Sequence, residues 1–366
     1  MFAETDLREL VEFSSSEPVL SVYLNTDPTQ GNADAYKLRL RNMLKNVNLP
    51  ADVNAIERYF DLKHDWSGRS VAVFSCAVQK FFRAYPLALP VHDFIYIGNR
   101  PGVKPLINLW NNYGGYGVVL VDKQGARLFN FHLGQLVEQQ GVLGETVKRT
   151  KRGGASSFPG RRGGIAGRTN AVDETVERNM KDVVDSAIRF FEENHIRRIL
   201  ISGSDDNVAL FRSLLPKAWQ SLVVGTFAMS MTASHNDVLN QTLQVGLGAE
   251  QQREKKLIDH MMTSAAKGGA AIVGLEDTLQ AIYNDRVQTL VLAENFHQEG
   301  YRCTHCEWLT SLPAKLCSIC GKEMTSVADV ANLAISAVMR HAGDVEVVGT
   351  DESFEKVGSI GAILRY

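Results

Sequence analysis

Four cysteines between residues 303 and 320 constrain the folding of this chain more than any other feature of its sequence. They form two Cys-x-x-Cys pairs, Cys303 with Cys306 and Cys317 with Cys320, and ten residues separate the pairs. Each such turn points two thiolates at one place, and two turns complete a tetrahedron of sulfur atoms about 2.3 Å from a Zn²⁺ ion. Because four thiolates leave no coordination position for water, the pattern predicts a structural Zn²⁺ ion in a zinc ribbon over residues 300–322.

Disulfides and free thiols are the alternative interpretations of this cluster, and His305, inside the first pair, is an alternative ligand. An intracellular chain disfavours disulfides. A ribbon of this length is too short to bury a core of its own, so the metal would stabilise it. The fifth cysteine, Cys76, lies in the apolar run VAVFSCAV, and we expect it to be buried in a strand.

Strands and helices alternate along the rest of the chain and predict an α/β protein. β-rich runs at 19–26 and 69–76 are strand candidates. Apolar residues three and four apart predict a helix from about 173 to 194, and a second, polar helix is expected over 235–267. Glycine and asparagine in NNYGGYG, residues 111–117, indicate a domain boundary.

Net charge limits what this protein can bind. A formal charge of −2 over 366 residues excludes a uniformly basic nucleic-acid-binding surface, so any polyanion must meet a local patch. No run of 18 apolar residues occurs, and we expect neither a membrane-spanning helix nor a membrane partner. The N-terminal MFAETDLREL lacks the apolar core of a secretory signal, so a cytoplasmic location is expected.

One segment, Lys148 to Asn170, concentrates positive charge and is called the basic segment below. It has six glycines and no Asp or Glu. Its seven basic residues are Lys148, Arg149, Lys151, Arg152, Arg161, Arg162 and Arg168. Arg and Lys bind phosphates, and the glycine pairs Gly153–Gly154 and Gly163–Gly164 let the backbone approach RNA closely. The composition predicts an RNA-binding segment that is disordered until it binds, with a solvated linker as the alternative.

The order of motifs resembles the superfamily of archaeal and eukaryotic class-I peptide chain release factors and Pelota, in a bacterial branch whose relatives include the hibernation factor Balon. In the last third the resemblance rests on EKKLIDHMM, GLEDTLQAI, TLVLAEN, the cysteine ribbon and GSIGAILRY. In the middle third it rests on GYGVVLVDKQGARLFNF, the basic segment, Arg178–Asn179 and RRILISGS.

This resemblance implies three domains that together imitate tRNA in the ribosomal A site. They are an N-terminal α/β domain over 1–113, a ribonuclease-H-like middle domain over 114–240, and an L7Ae-like domain over 241–366 with the zinc ribbon inserted. The first would face the decoding centre. The basic segment of the second would reach the ribosomal RNA of the peptidyl transferase centre. The third would contact a translational GTPase such as elongation factor Tu.

Two departures from the superfamily pattern bear on activity. The hydrolytic loop of release factors carries Gly-Gly-Gln, whereas Ala155 and Ile165 follow the glycine pairs here, and no Gln occurs from 141 to 219. These apolar side chains have no donor or acceptor with which to orient a water molecule. The Asn-Ile-Lys-Ser element that reads stop codons is also absent. We therefore predict a ribosome rescue or hibernation factor without a catalytic residue.

Two alternative functions are enzymatic. A release factor could hydrolyse peptidyl-tRNA with backbone N–H groups of the altered loop. A metal-dependent endonuclease would need carboxylates such as Asp122, Asp205–Asp206 and Glu276–Asp277, which are more simply explained as helix and turn caps.

Overall fold

A computed structural model describes residues 2–145 and 166–366, with side chains in the second range from residue 173 onward. The chain forms two compact units. The terminal unit combines Met1–Asn111 with Gln251–Tyr366, and the central unit is Asn112–Glu250. The mixed α/β class with several sheets, predicted from the alternation of strands and helices, is confirmed.

The N-terminal part of the terminal unit is a four-stranded antiparallel sheet with helices packed on it. Its elements are α1 (Glu4–Glu12), β1 (Val19–Asn25), α2 (Ala33–Leu44), α3 (Pro50–Leu62), β2 (Ser70–Cys76), β3 (Phe81–Leu87), β4 (Phe94–Gly98) and α4 (Lys104–Tyr113). The strand order is β3-β2-β1-β4. The apolar strands β1 and β2 are buried along their whole length. On one face of the sheet, α2 and α3 pack Tyr36, Leu40 and Phe60 onto them.

The central unit is a five-stranded mixed sheet with helices on it. Its elements are β5 (Tyr116–Val121), β6 (Gly125–His132), β7 (Gln135–Leu143), α5 (Ala166–Glu193), β8 (Ile199–Gly203), α6 (Asp205–Leu214), α7 (Lys217–Gln220) and β9 (Val223–Phe227). In the order β7-β6-β5-β8-β9, the β5–β8 and β8–β9 pairs are parallel and the others antiparallel. The apolar stripe of α5, including Met180, Val183, Ala187 and Phe190, packs on this sheet.

The C-terminal part of the terminal unit carries two sheets. Its elements are α8 (His235–Ala266), which begins in the central unit, β10 (Ala271–Val273), α9 (Leu275–Tyr283), β11 (Val287–Ala293), β12 (Gly300–Cys303), β13 (Leu309–Thr310), β14 (Met324–Val327), α10 (Val330–Arg340), β15 (Asp344–Val348), α11 (Glu352–Glu355) and β16 (Ile360–Leu364). The larger sheet has the order β10-β16-β11-β15, and Cys303 ends strand β12 of the small sheet β13-β12-β14.

The predicted strands at 19–26 and 69–76 are confirmed as β1 and β2, and the predicted helix over 235–267 as α8. Cys76 ends β2 and is buried, as expected. The predicted start of α5 at about 173 is wrong, because the helix begins at Ala166. Adding a residue to an existing helix is far easier than starting one, so the packed stripe can extend into a stretch that lacks apolar periodicity.

Among the described residues, no helix combines the length and the apolar character needed to cross a lipid bilayer.

Candidate metal centre and base of the basic segment

The structure brings the four predicted thiols together. Their sulfur atoms all lie within 4.8 Å of one another. The Sγ atoms of Cys303 and Cys320 are 3.4 Å apart, and those of Cys306 and Cys317 are 3.5 Å apart. Each close pair joins one turn to the other, so both Cys-x-x-Cys turns face a common centre.

The backbone of each turn supports its first thiol. The N–H groups of His305 and Cys306 point at Cys303 Sγ from 3.4 and 3.5 Å, and the N–H of Ile319 points at Cys317 Sγ from 3.4 Å. The residue after each second cysteine is left-handed, with φ of 62° at Glu307 and 70° at Gly321. This conformation turns the chain back and lets backbone N–H groups, rather than side chains, surround the sulfur atoms.

The four thiols occupy different electrostatic surroundings. Burial raises the pKa of Cys303, but the N–H groups of Cys306 and His305 outweigh it and lower that pKa to about 6. Burial and the neighbouring cysteine thiols raise the pKa of Cys306 to about 12. Four thiolates this close would repel one another, and a bound divalent cation would offset part of that repulsion.

The donor set fits Zn²⁺. Four soft thiolates in a tetrahedral arrangement are the ligands of structural zinc, and the set leaves no position for a catalytic water molecule. The side chain of His305 is exposed and does not join the cluster. Within the described part of the chain, these cysteines are the only group of three or more His, Cys, Asp or Glu side chains that could share one ion.

Glu276 anchors the ribbon to α9. Its carboxylate accepts hydrogen bonds from Thr310 Oγ1 at 2.7 Å, from Ser311 N at 2.7 Å and from Ser311 Oγ at 2.6 Å. The sequence predicted correctly that Glu276 lies at the start of a helix. It did not predict this contact, because Thr310 and Ser311 lie 34 and 35 residues away along the chain.

The other carboxylates considered for a nuclease site have structural roles. Asp122 accepts hydrogen bonds from the N–H groups of Gln124 and Gly125 in the turn between β5 and β6. Asp205 and Asp206 lie in the first turn of α6, where negative charge stabilises a helix. The described residues therefore offer no cluster of carboxylates for a two-metal reaction.

An arginine cluster next to the metal centre was not predicted from the sequence. Glu307, directly after Cys306, has its Oε1 2.6 Å from Arg302 and 4.0 Å from Arg100, and its Oε2 3.0 Å from Arg340. These four residues and Cys306 line a cavity of about 200 Å³. Burial raises the pKa of Glu307, but hydrogen bonds from Arg340 and Arg302 hold that pKa below its ordinary value.

Asn179 fixes the chain where the basic segment begins. It is buried in α5, with 2% of its surface exposed. Its side chain accepts a hydrogen bond from Glu145 N at 2.8 Å and donates to Glu145 O at 2.9 Å and to Lys123 O at 3.1 Å. A Cβ at Gly144 would lie 2.4 Å from Asn179 Oδ1, so glycine is required for this close approach. We call this arrangement the Asn179 clamp.

The predicted RNA-binding residues fall almost entirely outside the described residues. These are Lys148, Arg149, Lys151, Arg152, Gly153, Gly154, Arg161, Arg162, Gly163 and Gly164. The predicted loop over 148–170 extends too far, because the backbone of its last basic residue, Arg168, belongs to α5. The clamp at Glu145 and the start of α5 at Ala166 define the two ends between which the remaining residues run.

Two family models match the chain, one after the other. Residues 101–246 match the model described as bacterial archaeo-eukaryotic release factor family 10. Residues 251–366 match the model described as eRF1 domain 3. The matches confirm the resemblance found in the sequence, and the chain belongs to the release factor and Pelota superfamily, in its bacterial branch.

Solved structures similar to the chain come from the same superfamily. An archaeal translation termination factor, aRF1, is 13% identical, covers 98% of this chain and 96% of its own, and superposes with a TM-score of 0.27. Dom34 of S. cerevisiae is 12% identical, with coverages of 81% and 80% and a TM-score of 0.42. A ribosome-bound archaeal Pelota is 10% identical, with coverages of 98% and 92% and a TM-score of 0.41. No protein with a curated description matches the chain.

Proposed function

We propose that this protein is a tRNA-mimicking translation factor that occupies the ribosomal A site during ribosome rescue or hibernation, without reading stop codons or hydrolysing peptidyl-tRNA. Membership of the release factor and Pelota superfamily supports the general class. In this proposal the three domains predicted from the sequence face the decoding centre, the peptidyl transferase centre and a translational GTPase, for which elongation factor Tu is a candidate.

The observation that carries the proposal is the position of the basic segment on the central unit. The Asn179 clamp holds Glu145, three residues before the segment, and the long helix α5 begins at Ala166, within the last five residues of the segment. Seven basic residues, no acidic residue and six glycines make the segment suited to a surface of RNA phosphates. Fully extended, the 20 residues between Glu145 and Ala166 would reach at most about 65–70 Å, which is enough to enter a deep RNA cavity.

The sequence of the segment argues against hydrolysis. Ala155 and Ile165 stand where a glutamine would follow a glycine pair, and neither side chain can hydrogen-bond a water molecule. A backbone N–H could still position the water, so a release factor with a non-standard glycine loop is the competing function.

The four-cysteine ribbon is proposed to hold a structural Zn²⁺ ion. Cys303, Cys306, Cys317 and Cys320 would supply its four ligands. The ion would stabilise a ribbon whose small three-stranded sheet has few buried residues of its own.

Sedimentation with purified 70S ribosomes tests the proposed binding. The intact protein should co-migrate with idle and stalled ribosomes, and replacing the seven basic residues by alanine should abolish co-migration. The matched control replaces seven exposed basic residues elsewhere by alanine, namely Arg41, Lys45, Arg58, Lys63, Lys255, Lys256 and Lys267. If all seven basic residues of the segment bind phosphates, the logarithm of the binding constant falls with the logarithm of salt concentration with a slope of roughly −5 to −6.

A peptide-release assay separates the two functions. Stalled ribosomes carrying a labelled nascent peptide should keep it when the protein binds. Release that disappears when Gly153–Gly154 or Gly163–Gly164 are replaced would establish the competing function. If the intact protein co-sediments with neither idle nor stalled ribosomes, both functions are contradicted.

A further inference from the structure

We propose that Arg100, Arg302 and Arg340 supply the counter-charge of the metal centre, and that Arg100 thereby couples metal binding to the packing of the N-terminal residues. The inference rests on the proposed Zn²⁺ site and extends it to residues that are distant in the sequence.

Geometry places the three arginines around the same cavity as one of the four cysteines, Cys306. All three line the same cavity as Cys306, and all three surround the carboxylate of the next residue, Glu307. They come from separate elements: Arg100 from the connection between β4 and α4, Arg302 from β12 and Arg340 from the end of α10. The cluster is thus assembled by the fold of the terminal unit and not by one local motif.

Charge explains why one carboxylate lies among three arginines. A divalent ion bound by four thiolates carries a net charge of about −2. Glu307 adds one negative charge, and the three guanidinium groups balance the total. This balance matters because Arg100 is only 6% exposed and water screens its charge weakly.

Arg100 connects this cluster to the N-terminus. Its Nη1 donates to Val11 O at 3.3 Å and to Phe13 O at 3.5 Å, at the end of α1, while its Nη2 faces Glu307. Coupling between two binding events is reciprocal. If Arg100 strengthens metal binding in the ribbon, the bound metal must strengthen the contact of Arg100 with the ribbon.

Metal affinity of the full-length protein is the test. Zn²⁺ would be titrated against a chromophoric chelator for the intact protein, Arg100→Met, Arg100→Lys and Arg83→Met. Groups around metal ligands change metal affinity by about 10–100-fold when they are replaced, so Arg100→Met should weaken Zn²⁺ binding at least tenfold. Arg100→Lys keeps the charge and should retain most of the affinity. Arg83, which pairs with Glu9 2.5 Å away in the same N-terminal part, is the matched control and should change nothing.

A second variant keeps the test valid if Arg100→Met does not fold. Arg340 lies at the end of α10 with 29% of its side chain exposed, so Arg340→Met should fold and should also weaken Zn²⁺ binding. Wild-type affinity in folded Arg100→Met and Arg340→Met proteins would overturn the proposal.

Hydrogen exchange on the intact protein provides the reciprocal measurement. Removing Zn²⁺ should raise amide exchange in peptides covering 8–13 and 95–103 as well as in the ribbon, and should leave β2 unchanged. Exchange that rises in the ribbon alone would overturn the coupling. An intact protein that binds no Zn²⁺ would overturn both this inference and the proposed metal site, whereas ribosome sedimentation tests the translation function separately.

Discussion

Replacing Asn179 by alanine should loosen the base of the basic segment. The substitution removes three hydrogen bonds, one from Glu145 N and two to the carbonyl groups of Glu145 and Lys123. It also leaves a small void in α5, where Asn179 is buried. The segment would then leave the central unit from a less ordered stem, and ribosome binding would have to order that stem.

The magnitude follows from the number of bonds and their exposure. A hydrogen bond contributes about 1 kcal/mol net, so three contribute at most roughly 3 kcal/mol. Glu145 and Lys123 are exposed, and water can replace part of the loss. We therefore expect the free energy of unfolding of the central unit to fall by about 2 kcal/mol, equivalent to a factor of about 30 in the unfolding equilibrium.

Urea unfolding, monitored by fluorescence, measures this loss, and sedimentation measures ribosome affinity. The matched control is Asn194→Ala in the same unit. Asn194 bonds to Asn130 at 2.7 Å, to Glu138 at 3.1 Å and to Phe190 O at 3.0 Å, away from the segment. Both variants should lose stability, but only Asn179→Ala should also lose ribosome affinity. Unchanged stability of Asn179→Ala, or equal loss of affinity in both variants, would refute the role of the clamp.

Three further predictions concern the terminal unit. Cys317→Ser should reduce the zinc content, measured by mass spectrometry, from one ion per chain to almost none, whereas Cys76→Ser should retain the ion because Cys76 is buried in β2. Glu276→Gln should speed amide exchange of the ribbon, because it weakens the contacts with Thr310 and Ser311, while the exposed neighbour Asp277→Asn should not. Burial lowers the pKa of His64 in the folded chain, despite the opposing effect of the charge of Asp65. As the pH falls, the unfolded chain therefore binds a proton at His64 before the folded chain does. The free energy of unfolding should therefore fall between pH 7.5 and 5.5, and less steeply in His64→Gln, with the exposed His235→Gln as control.

Local features of the chain could be predicted from its sequence. The clustering of the four thiols depends on two short turns, so the spacing of Cys303, Cys306, Cys317 and Cys320 was sufficient to predict it. The apolar stripe of α5 and the continuous apolar runs of β1 and β2 were equally local signals.

Contacts between distant residues could not be predicted. Arg100 meets Glu307 across more than two hundred residues, and nothing near Arg100 marks it as a partner of the ribbon. Arg178–Asn179 was noticed as a motif, but the partners of Asn179 come from a turn and a strand end that only the folded central unit brings together. The strand order β10-β16-β11-β15 likewise depends on long-range pairing that no local pattern encodes.

A cryo-electron microscopy map of the protein on an idle or stalled 70S ribosome tests the central claim most directly. We expect density for the basic segment against the ribosomal RNA of the peptidyl transferase centre, with the rest of the chain in the A site. Density for the protein at another ribosomal site, or a segment that touches no RNA while the protein is bound, would contradict it.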